Sequence, residues 1–339
     1  MTQISATTLS SPVPRLSPRV VGLLAALVTV LIWTAFIVVA RASADPSRAP
    51  TLAPSDIVFA RLLGAGLVLL PLGWWLTQAQ RARQREAGLL PTAGSLWGLS
   101  PLPLRTTLQT GFFGGLLYGL LAYSGFVYAP AAHASVLMPG SLPLWTALLA
   151  VFVLGERISG SRAIGLLCIV AGDLLVGGAS LLHALDGSGV WRGDVLFVAA
   201  AFIWSCYSVL VRKYALQAVQ ATTAITVFGF LVYVPVYLLL VWLGLLPGHV
   251  FTAPLRDVLL QMLMQGLGSV VVSGISFNMM IRTFGPVRST MLTAVVPGLS
   301  ALSAALFLNE PLPWNVLCGL TLVTVGIVFG VRQAGATKP

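Results

Sequence analysis

The chain has 339 residues, 57% of them hydrophobic and 8% charged, with a mean hydropathy of +0.94. A soluble domain carries roughly 25% charged residues, so water cannot be the solvent for most of this surface. Disorder, collagen-like and disulfide-scaffold classes fail too, with 34 glycines in no triplet period and only three cysteines. What is left is an integral membrane protein, in which a net charge of +10 reads as a topology signal before it reads as a nucleic-acid surface.

In chain order, a polar, Pro-rich tail (1–19) precedes a first apolar run at 20–40. A membrane helix needs about 20 mostly apolar residues. This run has no small-residue cleavage site close behind it, which predicts a retained helix and not a signal peptide. Near its middle stands Trp33, away from the interfacial positions that indoles favour. The second run, 57–76, carries Arg61 about one turn inside its outer end. There a long stem can snorkel, or the guanidinium can attract a carboxylate at a cavity mouth. The one long connection, 77–104, holds the basic run Arg81, Arg83 and Arg85. The third run, 108–128, has Tyr118, Tyr123 and a face of Gly111, Gly115 and Gly119 suited to close packing. The fourth, 134–154, contains Pro139 and Gly140 and, a turn later, Pro143, which removes a backbone donor and frees carbonyls. Trp145 follows it, and Glu156 stands just past the end.

The fifth run, 163–182, holds Asp173, the one acid deep in a span, about ten residues or ~15 Å from its start. A central Asp costs roughly 2.5–3.5 kcal/mol on insertion scales, so it needs a partner, water or a proton. Proton coupling and a structural hydrogen bond are the two roles open to it. In the sixth run, 194–211, Trp204 repeats the mid-membrane indole and Tyr207 follows. Trp33, Trp204, Tyr207, Tyr118, Tyr123 and Trp145 either line a cavity, with rings burying the apolar part of a substrate and N–H or O–H groups holding its polar part, or pack between helices. The seventh run, 223–245, offers no chemistry. The eighth, 258–280, places Gln261, Gln265, Ser269, Ser273 and Ser276 on one helical face. Lipid cannot satisfy two amides and three hydroxyls, so this face looks inward, as path lining or as interhelical glue. The ninth, 290–308, contains Pro297 beside Gly298, with Glu310 past its end; the tenth is 316–331. Prolines at matching positions of two half-chains point to broken helices at a transport site or to ordinary membrane-helix kinks, and Glu156 and Glu310 suit helix-end anchoring or gating.

Cys168, Cys206 and Cys318 fall inside spans as free thiols, and His133, His183 and His249 are too widely spaced for a metal site. No dinucleotide, P-loop or HExxH fingerprint occurs, so neither an enzyme nor a cofactor is expected. A carrier without an ATPase runs on a substrate gradient or on ion coupling.

With the N-terminus inside, the outer loops hold Arg41, Arg48, Arg192 and Arg256, against 14 basic residues inside, from Arg15 to Lys338; Arg61 lies within a span. The acids lean the other way, with Asp45, Asp56, Asp186, Asp194, Asp257 and Glu310 outside and Glu86 and Glu156 inside. Both termini are therefore placed in the cytoplasm, and the net charge needs no nucleic-acid partner.

A shift of 154 superposes the fourth and fifth runs on the ninth and tenth: Ser135 on Ser289, Pro143 on Pro297, Glu156 on Glu310, Gly165 on Gly319 and Gly172 on Gly326. A shift of 171 superposes Trp33 on Trp204 and Arg41 on Arg212. Five helices per repeat is an odd number, so the second copy crosses the membrane in the opposite sense. Inverted repeats of this kind are a transporter signature.

The segments ALLAVFVLGERIS (147–159), ALSAALFLNEPLP (301–313), IWTAFIVVAR (32–41), IWSCYSVLVRK (203–213) and FARLLGAGLVLLPL (59–72) resemble the drug/metabolite transporter superfamily, EamA type, over residues 20–331. That resemblance implies a secondary carrier, commonly an exporter of amino acids, metabolites or drugs, with a central cavity between two halves. Two departures stand out: LNEP where the first copy has LGER, and Asp173 where the family usually has an apolar residue. The expected molecule is an all-α membrane protein of ten helices in two inverted repeats (20–182 and 194–331), with an external linker (183–193) and cytoplasmic tails (1–19 and 332–339). It would export small amino-acid-like metabolites or drugs across a bacterial inner membrane by alternating access. Its partners are the substrate and the lipid bilayer. Proton coupling at Asp173 and monomer against homodimer stay open. A membrane-embedded lipid-processing enzyme and a passive facilitator are the competing readings.

Overall fold

In hydrocarbon every backbone N–H and C=O must find its partner within its own segment, which leaves an apolar run no choice but the helix. The computed structural model describes residues 17–182, 187 and 189–332, the last three by backbone alone. Arg15, His183, Asp186, Lys338 and most of both tails lie outside the described residues. Nine of the described helices are long and apolar enough to cross a membrane: α1 (Pro18–Ala44), α2 (Pro54–Glu86), α3 (Leu104–Tyr128), α4 (Ala131–Leu154), α5 (Gly160–Leu182), α6 (Val190–Lys213), α7 (Ala218–Trp242), α8 (Leu255–Phe284) and α9 (Pro286–Leu308). The tenth, α10 (Trp314–Arg332), has 19 residues, about 28 Å of helix.

Each predicted run lies largely within one helix, but α2 continues ten residues beyond its apolar stretch. Its Gln- and Arg-rich end is a good helix former in water, and the following loop folds back on it through Arg81 Nε to Ala93 O (3.0 Å) and Ala93 N to Gln84 Oε1 (3.0 Å). Four helices carry wide, π-type turns, at Phe112–Leu117, Val136–Gly140, Leu174–Gly178 and Met262–Val272.

The repeat is visible in the packing. α1 lies along α8 and α9 as α6 lies along α3 and α4, while α2 packs on α7 and α5 on α10. Exchanging each helix for the one five places on leaves this pattern unchanged. The contacts also give the inversion. Along α1 and α8, Gly22 approaches Phe284, Trp33 meets Ser273 and Ser43 meets Gln261, so the two run antiparallel. Along α6 and α3, Gly193 approaches Ala129, Phe197 approaches Gly125 and Tyr207 covers Gly114, again antiparallel. Arg41, at the end of α1, bonds Phe126 O near the end of α3 (2.7 Å), beside the start of α6. α1 and α6 therefore pass through the bundle in opposite directions.

Helix ends repeat as well. α4 stops at Gly155 (φ +69°) and α9 at Asn309 (φ +55°), both left-handed and equivalent under the 154-residue shift. In both, the next residue's N–H reaches back to the last turn, Glu156 to Ala150 O (3.2 Å) and Glu310 to Ala304 O (3.4 Å). The change from LGER to LNEP thus keeps the helix stop, since Asn tolerates this conformation best after Gly. On the seam between α5 and α10, a Cβ on Gly319 would come within 2.8 Å of Gly172 O and one on Gly326 within 2.4 Å of Gly165 O. These two contacts are repeat images of each other. The outward faces carry apolar side chains such as Leu27, Leu31, Leu67, Leu167 and Phe307, as a bilayer-facing surface requires.

Candidate functional site

The two mid-membrane indoles meet at the centre. Trp33 of α1 and Trp204 of α6 lie edge to face, 6.1 Å apart, with Phe277 of α8 at 5.0 and 5.7 Å from them and Tyr118 and Tyr207 at 4.7 and 5.2 Å from Trp204. Trp33 Nε1 donates to Ser273 Oγ (3.2 Å), whereas Trp204 Nε1 is buried without a hydrogen-bond partner. Packing accounts for the first indole N–H and leaves the second unused.

Two small cavities flank Trp204, each about 20 Å³, room for little more than a water. One is lined by Trp33, Tyr118, Met138 and Pro139, the other by Arg61, Ser269, Gly274 and Thr226. The Pro139 wall comes from the broken turn of α4. The prolines act one turn upstream of where they stand: Pro143 leaves Pro139 O without its helical donor, Pro297 leaves Thr293 O without one, and the helices depart from α geometry at Val136–Gly140 and at Thr293 and Ala294. Ser141 Oγ donates to Leu137 O (2.7 Å) and Thr293 Oγ1 to Thr290 O (2.7 Å), taking up carbonyls around the breaks.

Arg61 does not snorkel. Its side chain turns into the bundle, 5% exposed, and Nη1 donates to Tyr123 OH (3.0 Å) and Ser269 Oγ (3.2 Å). Tyr123 OH in turn donates a hydrogen bond to Gln265 Oε1 (2.9 Å), and the guanidinium lies 5.8 Å from the Tyr123 ring centre. Among the described residues no carboxylate forms an ion pair with Arg61. A buried cation held only by neutral acceptors is half of a site, because desolvating it costs several kcal/mol that hydroxyl groups offset in part.

The polar stripe of α8 divides its work. Gln265, Ser269 and Ser273 reach the centre, whereas Gln261 Nε2 donates to Ser43 Oγ (2.7 Å) at one end of the bundle. Tyr207 touches Trp204 but its hydroxyl is engaged elsewhere, accepting from Asn278 Nδ2 (2.7 Å), which also donates to Thr222 Oγ1 (3.0 Å). Asn278, a polar residue within an apolar run, joins this network from outside the predicted α8 stripe. Phe277 carried no signal at all. Trp145 and Asp173 do not join the centre; they line a separate cavity between α4, α5 and α6.

At the end of the bundle that carries Arg41, Arg41 Nε donates to Glu310 Oε1 (2.8 Å), Glu310 Oε2 accepts from Ala131 N (2.9 Å), and Arg48 Nη2 donates to Leu308 O (2.7 Å). This ties α1, α3, α4 and α9 together. At the opposite end the repeat-related Arg212 is exposed, and among the described residues it makes no ion pair with Glu156. His249 and Tyr237 both bond Asp56, and His133 and Ser180 both bond Asp194. No group of three metal-ligating side chains occurs among the described residues.

Residues 20–178 and 191–332 match the EamA-like transporter family. A "Probable amino-acid metabolite efflux pump" of Escherichia coli (strain K12) is 26% identical over 220 residues, 62% of this chain and 71% of its own. "Solute carrier family 35 member F6" of Mus musculus is 31% identical over 134 residues, 38% of this chain and 36% of its own. A solved crystal structure at 19% identity superposes on 94% of this chain and 100% of its own with a TM-score of 0.56, a likeness of fold alone.

Proposed function

Because the chain belongs to the EamA-like transporter family, and is thereby a multi-pass membrane transporter, we propose that it exports small amino-acid-like metabolites by alternating access. Uncompensated Arg61 is the observation that carries this reading. A substrate carboxylate would supply the missing anion, in the bidentate geometry that guanidinium favours. The indole faces of Trp33 and Trp204 and the ring of Tyr118 would take the apolar part, and Trp204 Nε1 would donate to a polar group between them. Similarity to a protein named a probable amino-acid metabolite efflux pump supports this substrate class.

Cavities of about 20 Å³ are too small for an amino acid, so the present conformation is a contracted one, tied at the Arg41 end. The broken turns of α4 and α9 are where the path would widen, since a helix without its i→i−4 bond bends at lowest cost. Among the described residues, four basic residues at the Arg41 end against 12 at the other support both termini being cytoplasmic, which makes the Arg41 end external, and the bacterial relatives support a bacterial inner membrane.

The test is a flux screen in proteoliposomes, using aliphatic and aromatic amino acids and their amide-capped forms, with and without a proton gradient. Flux of the free carboxylates that is abolished in Arg61→Met supports the reading. Undiminished flux in that variant overturns it.

A further inference from the structure

The cavity between α4, α5 and α6 is much larger than the central pair, about 380 Å³, within the range of small-molecule sites. Its walls are apolar except at three side chains: Asp173, Trp145 and Asp194. Asp194 is accounted for, since His133 Nδ1 lies 3.0 Å from Oδ1 and Ser180 donates to Oδ2. The other two are not: Asp173 Oδ1 and Trp145 Nε1 are both buried and both without a hydrogen-bond partner. An unused acceptor and an unused donor thus line one apolar cavity.

The mouth opens on lipid. Leu167, Leu174 and Leu181 recur every seven residues on α5 and are 67%, 64% and 51% exposed, and Val195 of α6 is 49% exposed. Leu174, Leu181 and Val195 belong to the rim. Whatever fills this cavity therefore arrives dissolved in the bilayer. We propose that it is a site for a single-chain amphiphilic amine, whose ammonium group pairs with Asp173 and whose neighbouring oxygen accepts from Trp145 Nε1. An ammonium supplies the charge and the N–H donors that the Asp173 carboxylate lacks in this apolar setting. Room for about a dozen water-sized groups suits one short chain and not a two-chain lipid.

The site stands apart from the transport path. None of Trp33, Trp204 or Arg61 lines it, and the repeat counterpart of Asp173 is the fully buried Ile327, so the acid is not duplicated. The broken turn of α4 borders both, with Leu137 on the amine side and Met138 and Pro139 on the central side.

The experiment uses the full chain in neutral detergent and reads the thermal midpoint with dodecylamine or dodecanol as probe. Dodecylamine raises the wild-type midpoint by at least ~3 °C at saturation, and dodecanol raises it less. Asp173→Asn removes the difference between the two probes. Gly178→Leu is a second, independent variant: Gly178 lines the cavity and a Cβ there meets nothing within 4 Å, so the added side chain narrows the cavity or its mouth with Asp173 intact and both shifts shrink. Equal shifts for amine and alcohol in the wild type would overturn the proposal. So would an amine shift that stays undiminished in either variant. Because the readout is binding, it is independent of whether the chain exports amino acids.

Discussion

Arg41 Nε donates to Glu310 Oε1 at 2.8 Å, while Arg212 and Glu156, in the same places of the other repeat, are not joined by an ion pair among the described residues. In an inverted repeat the two ends of the bundle exchange roles when the carrier changes state. Under the proposed alternating access, the Arg41 latch would belong to one state and an Arg212–Glu156 latch to the other. Glu310→Gln keeps the shape and loses the charge, weakening the latch by about 2 kcal/mol, ~30-fold in the closed-to-open ratio. A single cysteine at Ser43, in a chain whose native cysteines are replaced, should label at least ~10-fold faster in that variant. An unchanged rate would count against the latch.

Acid sensitivity of the same latch follows from Asp45, which caps α1 just outside the span. Burial alone would raise its carboxyl. Hydrogen bonds from Ser47 N (3.0 Å) and Ser47 Oγ (2.8 Å), with the charges of Arg41 and Arg48, hold it below its ordinary 3.8. A carboxyl depressed in the folded state stabilises fully above its ordinary value and loses that contribution as pH falls through the lowered one. Labelling at Ser43→Cys, taken relative to a free thiol at the same pH because the thiolate is the reacting form, should be flat between about pH 5 and 8 and rise only below about pH 4. In Asp45→Asn the acid rise should be smaller than in the parent chain. A transition near neutrality would point to another group.

Arg61 makes a two-sided prediction. Arg61→Met should reduce flux of free amino acids at least ~30-fold, the cost of losing one partner of a buried charge pair, and leave amide-capped analogues nearly unaffected. The same variant should unfold at a higher temperature than wild type without substrate, because an apolar replacement relieves a buried charge that has no counter-ion. A lower midpoint would mean that Tyr123 and Ser269 already satisfy the guanidinium.

Trp204 and Trp33 should separate in kinetics. Trp204→Phe removes an indole N–H that the protein does not use, so folding should be preserved while KM for aromatic substrates rises several-fold, in line with about 1 kcal/mol per stacked pair. Trp33→Phe removes the bond to Ser273 and should cost roughly 1 kcal/mol of stability. Equal KM values for Trp204→Phe and wild type would remove Trp204 from the path.

The α9 stop offers a test of the fold itself. Asn309 holds φ +55°, so Asn309→Ala should destabilise by about 1 kcal/mol and Asn309→Gly should be neutral or better, read as thermal midpoints. Equal effects would show that the side chain, and not the backbone, holds the turn.

The bundle was legible because hydrocarbon admits one kind of backbone and writes it as long apolar runs. The matched Pro, Glu and Gly positions carried the repeat, and Gly165 and Gly172 face Gly326 and Gly319 across a close helix approach that the alignment alone did not predict. Of the α3 glycines, Gly111 and Gly115 pack against Phe228 and Ile225 of α7, while Gly119 has no contact closer than 3.9 Å. What escaped was direction. Counting from the start of its run puts Arg61 near a surface, yet the rotation of α2 against α3 and α8 turns it inward to Tyr123 and Ser269. Trp145 looks like Trp33 in the sequence, but α4 aims it at Phe202 (5.4 Å) and away from the aromatic cluster. Such orientations are set by neighbours far apart in the chain.

The glycine seam between α5 and α10 touches twice, seven residues or about 10 Å apart along α5. One contact would be a swivel; two make a spine that resists tilting and sliding alike. Under the proposed alternating access, the motion would be taken up away from this seam, with the breaks in α4 and α9 as the places to look for it.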